Sequence, residues 1–579
     1  MPNMIKSAKE QIDHILSAAL ERAAAAGELP QGASLQGSVE IPKDSANGDF
    51  AANHAMTGAR SLHMAPRKIA QALIDHADLS GSYFSSVEAA GPGFINFRLA
   101  DCWYGDVLRS VIQEGDNYGR NDEGKGKKVM VEFVSANPTG PMHMGNARGG
   151  VLGDALASVL ERDGYDVWRE FYVNDAGNQI DKFSKSIEAR YAQLILGEDQ
   201  VEFPEDGYHG EDIKLLAQSF MEEMGRDWLD KPEDERRQAM AAFGLKTNIP
   251  RMQADLRRYG IEYDQWFFES SLHESGYVAE TVDKLSASGW TYEKDGALWL
   301  ATSKILTQKM LEEGKKQEDI DKLELKDDVL RRANGFYTYF AADIAYHRNK
   351  LEQRQFDKVI NVWGADHHGH VARLKGAMDA LGLDGEHRLD VVLMQLVKLT
   401  RNGEVVRMSK RTGKAISLTD LLDEIPVDAA RYFFNSRPES PVEFDLELAI
   451  RQDSENPVYY VQYAHARICT LIANLAAEGH SVPEQADPAL LGVAEERELI
   501  KQLAALPEEI HLAARDYDPS RLNRYVTELA ARFHRFYTVC RIKDAQEDVQ
   551  AARLLLADAT RRVIALALSI VGVSAPEHM

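Results

Sequence analysis

A chain of 579 residues exceeds what one hydrophobic core supports, so several domains are expected and a small binding module is excluded. Its 44% hydrophobic and 27% charged residues are ordinary for a globular protein, and no apolar run is long enough to cross a bilayer. The net charge of −24 excludes RNA binding by the surface as a whole: any such face has to be local, with the acidic excess elsewhere.

The N-terminal stretch mixes acidic and basic residues among its apolar positions, unlike a secretory signal, and cytoplasmic residence is expected. Ile5, Ile12, Ile15, Leu16 and Leu20 recur at helical spacing and stop at Gly27 and Pro30, which predicts a helix over 4–28. In VEAAGPGFINFRL (87–99) a Gly-Pro-Gly turn leads into an alternation of Phe94, Asn96 and Arg98 against Ile95, Phe97 and Leu99, a strand pattern. These elements make a small α+β N-terminal domain over 1–105, followed by a linker over 106–128 that ends in the polar run NDEGKGKK.

VMVEFV (129–134) is a strand candidate, and after a Pro/Gly turn Val151, Leu152, Ala155, Leu156, Val159 and Leu160 fall on one face of a helix. WREFYVN (168–174) then supplies a second strand, giving a βαβ unit with a ligand-sized loop at the carboxyl end of its first strand. Residues 129–190 form the first half of a doubly wound parallel sheet, and VINVWG (359–364) and VVLMQLVKL (391–399) resume it in a second half over 331–400. The stretch 191–330 reads as an insertion, largely helical and acidic, in which KKQEDIDKLELKDD (315–328) is a solvated charged face. Residues 401–452 carry a basic loop and a connecting region, and 453–579 alternate amphipathic runs with short polar breaks, as a helix bundle does. Cys102, Cys469 and Cys540 lie too far apart for a CxxC pair; each is expected as a buried small hydrophobe, and no tightly bound metal is expected.

His143, Gly145 and Asn146 stand where the first strand gives way to its helix. Unpaired backbone N–H groups at a helix start hold phosphate, and an imidazole and a side-chain amide can donate to phosphate oxygens as charge builds. Gly145, with no Cβ, leaves room for a flat base. Asn402-Gly403 between apolar runs predicts a two-residue hairpin turn, which sets the basic loop beyond its second strand; there Lys410 is a mobile point charge suited to a triphosphate.

The run EFVSANPTGPMHMGNARGG (132–150) resembles the ATP-binding HIGH region of class I aminoacyl-tRNA synthetases, and its SANPTGP lead-in resembles the arginyl members. Met144 stands for Ile and Asn146 for the second His. EVVRMSKRTGKAISL (404–418) resembles the KMSKS loop of the same class, with Arg407 at the first lysine position and Lys410 at the second. The resemblance implies a HIGH region over Ala136–Asn146, including Met142 and Met144, and catalytic roles for His143, Asn146 and Lys410. It implies ATP binding by Pro138, Thr139, Gly140, Pro141, His143, Gly145, Asn146, Asp366, Met408, Ser409 and Lys410.

A guanidinium is planar, permanently charged and rich in donors, so its pocket needs carboxylates in fixed geometry. Glu132 at the strand end, and Asp343 in GFYTYFAADIAYH (335–347) with Tyr339 one helical turn earlier, resemble the arginine pocket of the arginyl family. Ser135, Asn137 and His143 match further substrate-holding positions, His367 in WGADHHGH (363–370) stands where Gln is frequent, and His347 is an outer candidate.

GDFAANHAM (48–56) and GPGFINF (91–97) resemble the domain that contacts the tRNA elbow, and PVDAARYFF and YAHARIC resemble the lead into the anticodon-binding domain. RLNRYVTELAARFHRFYTVCRIKD (521–544) interleaves Arg521, Arg524, Arg532, Arg535 and Arg541 with Tyr525, Phe533, Phe536 and Tyr537. Cations and flat rings suit unpaired bases, although for most of these rings a place in the helix core is the simpler expectation.

The fold class is therefore α/β and multidomain: a doubly wound, Rossmann-like catalytic domain with a helical insertion, a small N-terminal domain and a C-terminal helical bundle. The resemblance implies an arginine-tRNA ligase that uses ATP with Mg²⁺, takes L-arginine and tRNA(Arg), acts as a monomer and binds no membrane. A synthetase for another amino acid, a small-molecule nucleotidyltransferase with the same loop, and an RNA-binding protein with a dead site are the alternatives at this point.

Overall fold

The computed structural model describes residues 3–395, 397–406, 416–436 and 442–579. The apolar stripe of Ile5, Ile12 and Leu16 becomes the buried face of the helix Met4–Ala25, which Asn3 caps by accepting from the N–H groups of Ile5 and Lys6. This helix lies against a four-stranded antiparallel sheet in the order Val39–Glu40, Phe50–Ala52, Phe94–Leu99, Phe84–Ala90. The helix Asp101–Glu114 leads out of this unit, and Tyr118 beyond it donates to the carbonyl of Leu503 at 2.9 Å, joining the N-terminal unit to the C-terminal helices.

The catalytic sheet has five parallel strands in the order Leu389–Met394, Lys358–Gly364, Lys128–Glu132, Asp166–Val173, Gln265–Phe268. The chain starts on the central strand, builds outward to Gln265–Phe268, then crosses back to lay Lys358–Gly364 on the other side. Between Lys128–Glu132 and Lys358–Gly364 the direction of winding reverses, and a crevice opens at such a point beyond the carboxyl ends of the strands.

Two expectations about this region are corrected. The strand Gln265–Phe268 falls inside 191–330 and pairs Glu170 with Gln265 through Val173 with Phe268, so that stretch supplies an edge of the sheet as well as an insertion. Four residues, three of them aromatic, are too few to show a periodicity. The same stretch is largely helical, as expected, and with Asp328–Arg331 it also carries a three-stranded antiparallel sheet. The run 391–399 is two strands: Leu389–Met394 stays in the parallel sheet, while Val397–Arg401 pairs with Glu404–Val405 and Val442–Asp445. The expected hairpin turn is present, with Asn402 and Gly403 both at positive φ (52° and 79°), as a primed turn needs.

From residue 457 on the described elements are helical: Pro457–Ala477, Ala494–Ala504, Leu506–Arg515, Ser520–Val539 and Glu547–Ile570. Tyr525, Phe533 and Phe536 point into its core, as the amphipathic reading expects. Cys540 is buried, but Cys102 is exposed in the first turn of its helix and Cys469 is half-buried, which corrects the expectation of three core cysteines. Arg431, fully buried, donates to the carbonyls of Tyr259 and Val571 and pairs with Asp154, binding the bundle's last helix to the catalytic domain. Among the described residues, no helix is long and apolar enough to cross a membrane.

Candidate active site

The central strand ends at Glu132, and two residues later the backbone turns through left-handed conformations at Val134 (φ 68°) and Ser135 (φ 41°). For a β-branched residue this is strained, at a cost of order 1–3 kcal/mol, and it persists only where the surroundings enforce it. Here they do. Ser135 Oγ donates to Glu132 Oε1 at 2.8 Å and accepts from the Tyr172 N–H at 3.1 Å. Tyr263 donates to the Phe133 carbonyl and Asn248 to the Pro138 carbonyl.

The helix Met144–Arg162 starts at His143, whose extended backbone serves as N-cap and whose N–H donates to Asn146 Oδ1 at 3.0 Å. Its glycines let it lie directly on the strand end: a Cβ on Gly153 would stand 2.1 Å from the Phe133 ring, and one on Gly150 would stand 2.8 Å from Ile261. Gly145 instead faces open space. The Met144 N–H donates to the Ile416 carbonyl at 3.1 Å and the Leu418 N–H to the Met142 carbonyl at 2.9 Å, with His143 opposite Ser417. The residues that close the second motif are thereby fastened to the first. Arg407, Met408, Ser409 and Lys410 lie outside the described residues.

A cavity of about 960 Å³ opens at the switch point. Of the residues expected from the sequence, it brings together Glu132, Ser135, Asn137, Asn146, Asp343 and His367. Tyr339 stands one turn from Asp343 on the helix Tyr339–Arg348 but does not line the cavity; it is 43% exposed, and its hydroxyl accepts from the Asn178 N–H at 3.1 Å. His143 and Gly145 are exposed next to Asn146. Pro138, Thr139 and Met142 are buried, and Ala136, Gly140, Pro141 and Met144 are half-buried, so these residues shape the loop. Asp366 belongs to the turn Ala365–His367 that follows the strand Lys358–Gly364.

The floor of the cavity is a polar network. Glu132 is buried, and the Nζ of the fully buried Lys350 donates to Glu132 Oε2 at 2.6 Å and to Asn361 Oδ1 at 3.2 Å. Asn361 Nδ2 donates to His347 Nε2 at 2.7 Å, which leaves His347 Nδ1 to donate to the Asp343 carbonyl at 2.8 Å. Burial, with the charge of Lys350 close by, holds the His347 imidazole well below its ordinary 6.5, so the ring is neutral. On the other side, His370 Nε2 lies 3.1 Å from Asp343 Oδ2, its Nδ1 accepts from Arg373, and Arg373 pairs with Asp328 at 2.6 Å. Beneath them Tyr346 donates to Glu170 at 2.6 Å, and Arg354 grips both oxygens of Glu170 at 2.9 and 2.6 Å.

Sequence reasoning missed Lys350, Asn361, His370 and Arg373. A signal for the first was present: Asp343, His347 and Lys350 follow at i, i+4 and i+7, one helical face. The segment 315–328 is a solvated charged face, as expected, and it also borders the cavity. Its early residues are exposed, but Leu323, Glu324, Leu325 and Lys326 line the cavity, and Asp328 reaches Asp343 through Arg373 and His370.

A parallel sheet whose switch-point crevice receives the start of a glycine-rich helix, tied to a second loop motif, is the architecture of a class I aminoacyl-tRNA synthetase. Residues 107–445 match the family model described as tRNA synthetases class I (R), catalytic domain. Residues 10–99 match the arginyl tRNA synthetase N terminal domain, and 461–579 the DALR anticodon binding domain. Over the full length of both chains, the sequence is 51% identical to the arginine–tRNA ligase of Acetivibrio thermocellus and 54% identical to that of Caldanaerobacter subterraneus. The Thermus thermophilus arginyl-tRNA synthetase structure shares the fold at a TM-score of 0.72 and 22% identity, over 98% of this chain and 100% of that one. The chain belongs to the arginyl-tRNA synthetases.

Proposed function

We infer that this chain joins L-arginine to its tRNA in two steps driven by ATP. The carboxylate of arginine attacks the α-phosphate, pyrophosphate leaves, and the resulting arginyl-adenylate passes its acyl group to a ribose hydroxyl of the terminal adenosine, releasing AMP. The observation that carries this reading is the backbone junction of Met142–Met144 with Ile416–Leu418, at the rim of a crevice that also holds Glu132 and Asp343.

In this reading His143 and Asn146 donate to phosphate oxygens from a helix N-terminus, and Lys410 follows the triphosphate as its charge moves to the leaving pyrophosphate. Pro138, Thr139, Gly140 and Pro141 hold the loop's path, the open space at Gly145 admits the adenine, and Asp366, Met408 and Ser409 complete the ATP site. Glu132 and Asp343 bind the guanidinium side of arginine, while Ser135, Asn137, His143 and His367 hold the rest of it; Tyr339, outside the cavity one turn before Asp343, joins the arginine-holding set by resemblance alone. No side chain acts as a nucleophile; rate comes from positioning and from charge stabilisation. Mg²⁺ would reach the site on the triphosphate, where it would offset phosphate charge.

The N-terminal unit and the bundle are the tRNA-binding parts of this proposal. A groove of about 570 Å³ on the bundle is lined by Tyr463, Arg467, Asn474, Tyr537 and Lys543, and Tyr459 stacks on Tyr463 at 6.1 Å: rings and cations suited to unpaired bases. Arg521, Arg524 and Arg532 pair with acidic neighbours, so of the expected cations the exposed Arg535 and Arg541 are the better candidates for RNA. The experiment is ATP–pyrophosphate exchange with a panel of amino acids and total tRNA. Exchange with arginine alone is expected, reduced at least about tenfold by His143→Ala or Lys410→Ala; exchange with another amino acid in place of arginine overturns the reading.

A further inference from the structure

Lys350 sits where the helix Tyr339–Arg348 passes into a π-helical turn, Asn349–Gln353. Such turns are rare and recur at functional sites, because the added residue redirects the side chains that follow. An ammonium has three donors, and each of this one has a partner: Glu132 Oε2, Asn361 Oδ1, and the face of the Tyr346 ring at 3.9 Å. Glu132 is held from both sides, since Ser135 Oγ occupies its other oxygen. A buried ion pair of this kind adds little to stability, because desolvation cancels most of the attraction. Its effect is on geometry and charge.

We propose that Lys350 is the positioning residue of the arginine pocket: it neutralises Glu132 and, through Asn361 and His347, ties that carboxylate to the backbone of Asp343. This rests on the arginine reading above and deepens it. Glu132 then offers arginine two fixed lone-pair directions rather than a bare charge, and Asp343, which His370 Nε2 meets at 3.1 Å, supplies the charge that a guanidinium meets. A pocket with two uncompensated carboxylates would attract any cation, with little selection by shape. One with a single charge and a fixed acceptor selects a planar, multi-donor cation.

The experiment is a double-mutant cycle on the full-length enzyme with tRNA present: wild type, Glu132→Gln, Lys350→Met and the double variant, read by pyrophosphate exchange at varied arginine, citrulline and ATP. Lys350→Met is expected to lower kcat/KM for arginine by about 10- to 100-fold, through KM for arginine, with KM for ATP within about twofold of wild type. In the Glu132→Gln background the same substitution is expected to cost less than about threefold, because the group it acts through is gone. Equal losses in both backgrounds, or a loss shared between the arginine and ATP constants, overturn the proposal. If Lys350→Met does not fold, the double variant carries no lone buried charge, and its comparison with Glu132→Gln decides. A wild-type enzyme that ignores arginine overturns the arginine reading, and this proposal with it; one that uses arginine but shows equal losses overturns this proposal alone.

Discussion

Along two helices of the C-terminal bundle the side chains at 0% exposure are apolar (Leu499, Leu503, Leu522, Val526, Leu529, Phe533 and Phe536) except Glu496, which pairs with Arg553. In the floor of the cavity the same degree of burial is reached by Lys350, Asn361 and Glu170, each engaged by named partners. Apolar burial is non-directional and contributes in proportion to area, so the bundle can be stable without being exact. A buried polar network contributes little net stability, yet its members can adopt few alternative positions, which is what a site that must recognise one amino acid needs. On the proposed reading, one region supplies stability and the other specificity.

Substitutions should separate the two. The largest effect is expected in the bundle: Phe533→Ala removes a fully buried ring and should lower unfolding free energy by about 4 kcal/mol in urea melts. Pyrophosphate exchange by the protein that remains folded should keep its KM for arginine. Next, Asp343→Asn should leave the melt within about 1 kcal/mol of wild type while reducing kcat/KM for arginine about 100-fold, near 3 kcal/mol; a large stability loss without that kinetic change would erase the contrast drawn here. Gly153→Ala is intermediate. Its methyl would meet the Phe133 ring, one residue before the strained turn, and is expected to cost about 2 kcal/mol and to raise KM for arginine, since the clash reaches Glu132 through the strand end.

The smallest effect is in pH. Burial lowers the imidazoles of His347 in the floor and of His465 and His534 in the bundle below the ordinary 6.5. In each case the unfolded chain binds a proton first as pH falls. Their contribution is therefore complete above 6.5 and is lost as pH drops through that value toward the lower folded ones. Melting temperature measured from pH 8 to pH 5 should decline on the acid side, and His347→Gln should flatten part of that decline.

The fold was legible where residues repeat over several turns. The helix Met144–Arg162 and the bundle helices carry clear periodicity, and Asn402-Gly403 marked its hairpin through turn chemistry alone. Gln265–Phe268 and the split at residues 394–397 were not legible, because a four-residue strand has no period and a run of Val, Leu and Met fits one long strand as well as two. At the site, Glu132, Asp343 and the loop residues could be named from resemblance, while the neutralisation of Glu132 could not. That depends on Lys350 meeting a strand far earlier in the chain, and on a π-helical turn that leaves no mark in composition.

The junction of Met142–Met144 with Ile416–Leu418 closes the intervening chain into a ring whose two ends are pinned at the crevice. The entropy of closing such a ring grows only with the logarithm of its length, about 0.6 kcal/mol for each doubling. Additions hung on that ring, such as the antiparallel sheet of Thr291–Lys294, Ala297–Leu300 and Asp328–Arg331, can accumulate at little cost to the meeting of its ends. The stretch between the two motifs can lengthen while the place where its ends meet keeps its shape.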